Sequence, residues 1–215
     1  MRGLGFASWH HDKASPLYML DYHYERLLKG AKHFRWQPAI AALENPSSLD
    51  YLVAQLQDLI GDSQGPLRLR ILVDPDGQIR CEKYDAPPMA LQNLLPRHLP
   101  PPPSEGTSVG NLSHKPEYAV VLDMVGTASS EHTYFKTTYR PMYDAARRRA
   151  GLALTDLKEV LLLSEDRDVV TEGSITTPYF WRDGRWVTPP VSREYAGQVA
   201  QGGQDGTSRR WALER

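Results

Sequence analysis

The chain has 215 residues, with 25 Lys plus Arg against 26 Asp plus Glu and a formal net charge of -1, so no surplus of positive charge exists to neutralise a phosphate backbone and nucleic acid is not an expected partner. That length buries a useful core without disulfides, and the single cysteine, Cys81, standing in the alternating run Ile79-Arg80-Cys81-Glu82, reads as a small buried hydrophobe rather than a nucleophile. Apolar runs are short, such as Val160 to Leu163, and the N-terminus has no apolar stretch of the signal-peptide kind, so neither membrane insertion nor secretion is expected and a soluble cytoplasmic protein is the reading.

From Leu20 to Phe34 the residues Leu20, Tyr24, Leu27, Leu28 and Ala31 recur at helical spacing, with Gly30 the one weak point, which predicts a helix. A second helix follows Pro46, with Ser47 or Ser48 as cap, Leu49, Leu52, Val53, Leu56 and Leu59 as its buried stripe, and Gly61 placed to end it. The period then changes. Leu67, Leu69, Ile71 and Val73 alternate with Arg68 and Arg70, Asp74-Pro75-Asp76-Gly77 supplies turn chemistry, and Ile79, Cys81 and Lys83 continue beyond it, which predicts a hairpin. Between Ala86 and Pro116 the chain turns to Pro, Ser, Gly and Asn, including Pro100 to Pro103, which favours an extended connector. The expected organisation is an N-terminal domain over 1–85, a linker over 86–117 and a C-terminal domain over 118–215. The second half resumes with an apolar strand from Tyr118 to Met124 and a helix from about Pro141 to Ala150 closed by Gly151. A strand from Glu159 to Leu163, a polar turn at Ser164 to Asp168 and a hairpin from Tyr179 to Thr188 turning at Asp183-Gly184 come next. The segment Gly202 to Arg210 is a glycine-rich loop running into a helix that begins near Thr207.

Lysine needs a reason to be reactive, because at its reference pKa only about one molecule in 2500 is neutral at pH 7. Lys136 follows Tyr134 and Phe135 and precedes Thr137 and Thr138, an apolar flank that would desolvate the amine and favour its neutral form. Taken alone, it also reads as an ordinary exposed lysine. Gly206-Thr207-Ser208 at a helix start offers backbone N–H groups and two hydroxyls to an anion; the plainer alternative is a flexible loop with a capped helix. Glu172 in Val170-Thr171-Glu172-Gly173-Ser174 would by itself decorate a turn, and Arg26 on the first helix would be a solvated face residue.

Taken jointly, these segments resemble, over most of the chain, the fold-type IV pyridoxal-phosphate family that contains class IV and branched-chain aminotransferases and aminodeoxychorismate lyases. Tyr22-His23-Tyr24-Glu25-Arg26-Leu27 looks like the family's His-x-x-Arg-Leu helix, and Phe135-Lys136-Thr137-Thr138-Tyr139-Arg140 looks like the Lys-Thr-x-x-Arg form of the lyases. Glu159 to Leu163, Val169 to Ser174 and Phe180 to Pro190 follow the family signature closely. The resemblance implies pyridoxal 5'-phosphate as cofactor and no metal, with Lys136 carrying it. It places Glu172 at the pyridine nitrogen, and Arg26, Thr207 and Ser208 on the phosphate. It also implies an α+β (α/β) chain of two small domains with the cofactor cleft between them, a homodimer, and a small-molecule amino substrate. Among activities it favours release of pyruvate from 4-amino-4-deoxychorismate to leave 4-aminobenzoate. A class IV aminotransferase acting on branched-chain, D-amino acid or amine substrates and a non-catalytic relative or partner subunit are the alternatives. Thr177 stands where family members often carry asparagine, Phe6-Ala7-Ser8-Trp9-His10 is a degenerate counterpart of an N-terminal Phe-x-Thr-x-Arg strand, and Arg215 comes soon after the phosphate loop. An incomplete C-terminal part with weaker cofactor anchoring is therefore the expectation.

Overall fold

The computed structural model describes residues 8–10, 13–95, 101–102, 118–153, 155–197 and 202–214. The chain divides into two units, Met1–Arg97 and His98–Arg215. In the first, β1 (Ser8–His10) pairs antiparallel with β2 (Lys13–Ala14); Phe6 and Ala7 lie outside the described residues. Three helices follow: α1 (Leu20–His33), α2 (Gln37–Glu44) and α3 (Ser48–Ile60). The apolar stripes of α1 and α3 meet, so that Leu20, Leu52 and Leu56 are buried together with Leu17. Each such side chain contributes roughly 1.5–3 kcal/mol relative to exposure.

The spacing did not announce α2. It is only eight residues long with Pro38 in its first turn and no side-chain cap, so it owes its helix to tertiary burial of Ala39 and Leu43 against Ala31. A bond from the Tyr24 hydroxyl to the Leu43 carbonyl, 2.6 Å, closes α1 onto its end. The expected serine cap of α3 is not made. Ser47 occupies the cap position without a side-chain bond to the helix, and Ser48 instead donates its hydroxyl to the Ala42 carbonyl, which ties α3 to α2. Gly61 ends α3 as its place in the sequence suggests.

The hairpin β3 (Leu67–Val73) and β4 (Ile79–Asp85) pairs in register from Leu67 opposite Asp85 to Val73 opposite Ile79. Its inward residues Leu69, Ile71, Ile79 and Cys81 pack on the α1 and α3 cluster. Cys81 is half-buried rather than buried, because the two-stranded sheet covers one side of it only. In the proline-rich stretch the structure places a one-turn helix, α4 (Leu91–Leu94), whose last carbonyl accepts the Tyr18 hydroxyl at 2.6 Å. Most of the rest of that stretch, 103–117, lies outside the described residues.

The second unit is organised by β6 (Lys158–Leu163), which lies between β5 (Ala119–Leu122), parallel to it, and β7 (Val170–Gly173), antiparallel. From Glu159 to Leu163 every residue of β6 is buried, the pattern of a central strand covered on both faces. β5 is shorter than the apolar run Tyr118 to Met124, and as an edge strand its residues are exposed. The short helix α5 (Glu131–Tyr134) opens with a capping box between Ser130 and Thr133. Helix α6 (Pro141–Arg149) follows, then the hairpin β8 (Phe180–Arg182) and β9 (Arg185–Val187), and α7 (Thr207–Leu213). Asp183 and Gly184 both adopt positive φ, 51° and 76°, the mirror-image turn that Asp-Gly favours. The whole is a mixed α+β chain, and no helix among the described residues is long and apolar enough to cross a membrane.

Candidate active site

Alternation along β6 sends Val160 and Leu162 toward α6, where they form one buried cluster with Tyr143 and Ala146. Glu172 on β7 is the cross-strand partner of Leu162. Opposed residues of an antiparallel pair share a face, so the Glu172 side chain rises beneath α6 instead of decorating a turn. There the Tyr143 hydroxyl donates to Glu172 Oε1 at 2.7 Å, and the Gln204 backbone N–H donates to Oε2 at 3.3 Å. Burial pushes the Glu172 carboxyl up to about 7, against the opposing pull of its two hydrogen bonds and of the Lys136 and Arg140 charges. Burial likewise raises the Tyr143 phenol, with the Glu172 charge acting in the same direction. The phenol therefore stays protonated and donates.

The turn that follows Glu172 is held by a second buried carboxylate. Glu159 Oε1 accepts from the Ser174 hydroxyl at 2.6 Å and from its backbone N–H at 3.1 Å, and Oε2 accepts from the Thr176 hydroxyl at 2.7 Å. Arg147 reaches the Ser174 hydroxyl at 3.0 Å and lies 3.9 Å from Glu159, while Arg140 donates to the Ser174 carbonyl at 2.7 Å. Ser174 is thus gripped at both its backbone and its side chain, and Glu172, two residues earlier, inherits a fixed backbone.

Lys136 is exposed, which corrects the expectation that its apolar flank would desolvate it. Tyr134 and Phe135 are buried, and Tyr134 donates its hydroxyl to the Ser192 and Arg193 carbonyls at 2.9 and 2.8 Å. Phe135 has extended backbone angles, so consecutive side chains point opposite ways: Phe135 goes inward and Lys136 outward. The flank anchors the lysine's backbone and leaves its amine accessible, near enough to Glu172 that its charge favours the ionised carboxylate.

The glycine-rich loop packs directly on Glu172. A Cβ built on Gly203 would fall 2.3 Å from Glu172 Cδ and 2.6 Å from its Cβ and Cγ, and one built on Gly202, whose φ is +88°, would fall 1.9 Å from the Pro190 carbonyl oxygen. Beyond the loop, the cap of α7 is Gly206, so neither Thr207 nor Ser208 is spent as the helix cap. Thr207 is buried and Ser208 exposed. Arg209 is buried, bonded to Asp205 at 3.2 Å and to the Pro189 carbonyl at 3.1 Å, and its Nε has no hydrogen-bond partner among the described residues. We expect Gly203→Ala to lower stability by about 2 kcal/mol, roughly 4–8 °C in melting temperature, because a methyl group enters a filled space. A thermal melt with no shift would mean that the loop does not rest on Glu172.

The structure therefore brings Lys136, Glu172 and the loop leading to Thr207 and Ser208 together within one unit. Arg26 belongs to the other unit, half-buried on α1, with its Nη2 3.1 Å from His23 Nδ1. Tyr143, Arg147, Glu159 and Gln204 were not singled out by sequence reasoning. A signal for two of them existed: Tyr143 and Arg147 lie four apart on α6, on the face that also carries Ala146, so Arg147 had to be a buried cation in search of a carboxylate. Nothing local marked Gln204.

The donor set fits the pyridoxal phosphate that the resemblance implies. Glu172 is a buried carboxylate whose ionised form a cationic nitrogen would favour, Lys136 is an exposed residue beside it, and two helix-start hydroxyls that do not cap the helix adjoin a buried arginine donor. No curated protein matches the chain. A family model described as amino-transferase class IV matches residues 8–215, and the chain belongs to that family, whose members are pyridoxal-phosphate-dependent aminotransferases or lyases.

Proposed function

We propose that this chain is a pyridoxal-phosphate-dependent lyase resembling 4-amino-4-deoxychorismate lyase, working as a cytoplasmic homodimer on a small-molecule amino substrate. The observation that carries the reading is the buried carboxylate of Glu172 with the Lys136 charge beside it. Bound cofactor supplies an electron-withdrawing ring that delocalises negative charge from the substrate. Lys136 would hold the cofactor and serve as the group that accepts and returns a proton at the substrate. Glu172 would face the ring nitrogen and favour its protonated form. Arg26, Thr207 and Ser208 are the residues assigned to the phosphate, a hold that would keep the ring from drifting away from the lysine.

Lyase is ranked above aminotransferase because Lys136-Thr137-Thr138-Tyr139-Arg140 resembles the lyase form of the segment, with Arg140 committed to the Ser174 carbonyl. The two reactions make different products. Lyase action on aminodeoxychorismate gives pyruvate and 4-aminobenzoate in equal amounts with no 2-oxo acid added, since the substrate's atoms are only divided between two products. Aminotransferase action on an amino acid gives one equivalent of 2-oxo acid in a single turnover and then waits for an acceptor. We expect the first result from chain loaded with pyridoxal phosphate. Rapid formation of 2-oxo acid from an amino acid, with no aminobenzoate from aminodeoxychorismate, reverses the ranking.

A further inference from the structure

Glu172 has two oxygens and both are spoken for by the chain, one by the Tyr143 hydroxyl and one by the Gln204 backbone N–H. Gln204 acts a second time, because its Nε2 lies 3.1 Å from the Tyr143 hydroxyl oxygen. An amide nitrogen only donates, and a phenol has a single proton. With Gln204 donating to the phenol oxygen, that proton is directed to Glu172. The three residues close a ring in which every donor points, directly or through one neighbour, at the carboxylate.

We infer that Tyr143 and Gln204 are positioning residues that fix both the orientation and the ionisation of Glu172, linking the glycine-rich loop to the carboxylate. The inference deepens the reading of Glu172 given above and rests on it for its bearing on catalysis. Tyr143 is 1 % exposed, so its hydroxyl has no water to choose instead. The Arg140 guanidinium, 4.6 Å from the centre of the Tyr143 ring, covers one side of the phenol. The other charges around Glu172 are those of Lys136 and Arg140, which favour its ionised form. On the far side of Gly173, Glu159 and Arg147 are engaged with Ser174. Among the described residues Tyr143 is the one O–H donor to the carboxylate, and the Gln204 N–H reaches it only while the loop stays seated, which Gly203 permits by having no side chain.

The test is a pH titration of the Glu172 carboxyl carbon by 13C NMR in the full-length chain stripped of cofactor, with the signal assigned by its loss in Glu172→Gln. In the unsubstituted chain the midpoint is expected near about 7. Tyr143→Phe keeps the ring and its packing but removes the donor, and the midpoint is expected to rise by about one to two pH units. Gln204→Ala leaves the backbone N–H in place and frees the phenol proton, so a smaller rise is expected. A role confined to packing would lower the melting temperature of Tyr143→Phe and leave the midpoint where it was, which would overturn the inference. If Tyr143→Phe does not fold, Gln204→Ala decides, and an unmoved midpoint there has the same force. Because no cofactor is present, this result is independent of whether Lys136 carries pyridoxal phosphate.

Discussion

Lys136→Ala is expected to abolish covalent attachment of pyridoxal phosphate and to reduce turnover by about a thousandfold or more, since in the function proposed above the residue both carries the cofactor and handles the proton. The fold should survive. Lys136 is exposed, and what holds its segment are the buried rings of Tyr134 and Phe135 and the two carbonyls that Tyr134 engages. Loss of an exposed side chain away from such anchors costs within about 0.5 kcal/mol, roughly 1–2 °C in melting temperature. The measurement pairs a thermal melt with borohydride reduction and peptide mass spectrometry of the loaded protein. In the unsubstituted chain the label should sit on the peptide containing Lys136, and in Lys136→Ala no peptide should be labelled. A label on Lys158, also exposed, would sink the assignment.

What the sequence made legible was whatever periodicity or turn chemistry writes locally. The stripes of α1 and α3, the Asp-Gly turn of the second hairpin and the unbroken apolar run of β6 are set by interactions between near neighbours, and all are where the spacing puts them. Helix α2 was not legible, because its short stretch becomes helical only through burial of Ala39 and Leu43 against α1. The extent of β5 was not legible either, since its position at the sheet edge depends on which strands find each other. The same division runs through the site. Lys136 and Glu172 stood out through the segments around them, whereas Tyr143, Glu159 and Gln204 matter because β7, β6 and the glycine-rich loop converge under α6. Contacts across 29 to 61 residues of chain separate Glu172 from Tyr143 and Tyr143 from Gln204, and no window along the chain holds both ends. The desolvation argument for Lys136 fails for a geometric reason: the apolar flank is real, but extended backbone at Phe135 turns it away from the amine.

Glu172→Gln should separate the two roles of that carboxylate, one visible in stability and one in chemistry. Without cofactor, burial holds the carboxyl at about 7 against an ordinary glutamate value of 4.5. Between those two values the folded chain binds more protons than the unfolded one, so stability is greatest at the acid end and falls as pH rises through the window. The loss is on the order of 3 kcal/mol, or roughly 6–12 °C for a chain of this size. Glutamine does not titrate, so the melting temperature of Glu172→Gln should be flatter than that of the unsubstituted chain by that amount between pH 4.5 and 7.5. Identical pH slopes in the two proteins would show that Glu172 is not the group carrying the burial cost. If the ring nitrogen of bound pyridoxal phosphate faces Glu172 as proposed, its protonated form would add to the Lys136 and Arg140 charges that favour the ionised carboxylate. Glutamine cannot supply that charge. The chemical step should then slow by about 2 to 4 kcal/mol, roughly 30- to 1000-fold, as for the loss of one preorganised electrostatic partner. Cofactor affinity should fall less, since the phosphate hold proposed above does not involve Glu172. Turnover that is unchanged in Glu172→Gln would mean that another group faces the ring nitrogen, even if the stability profile behaves as expected.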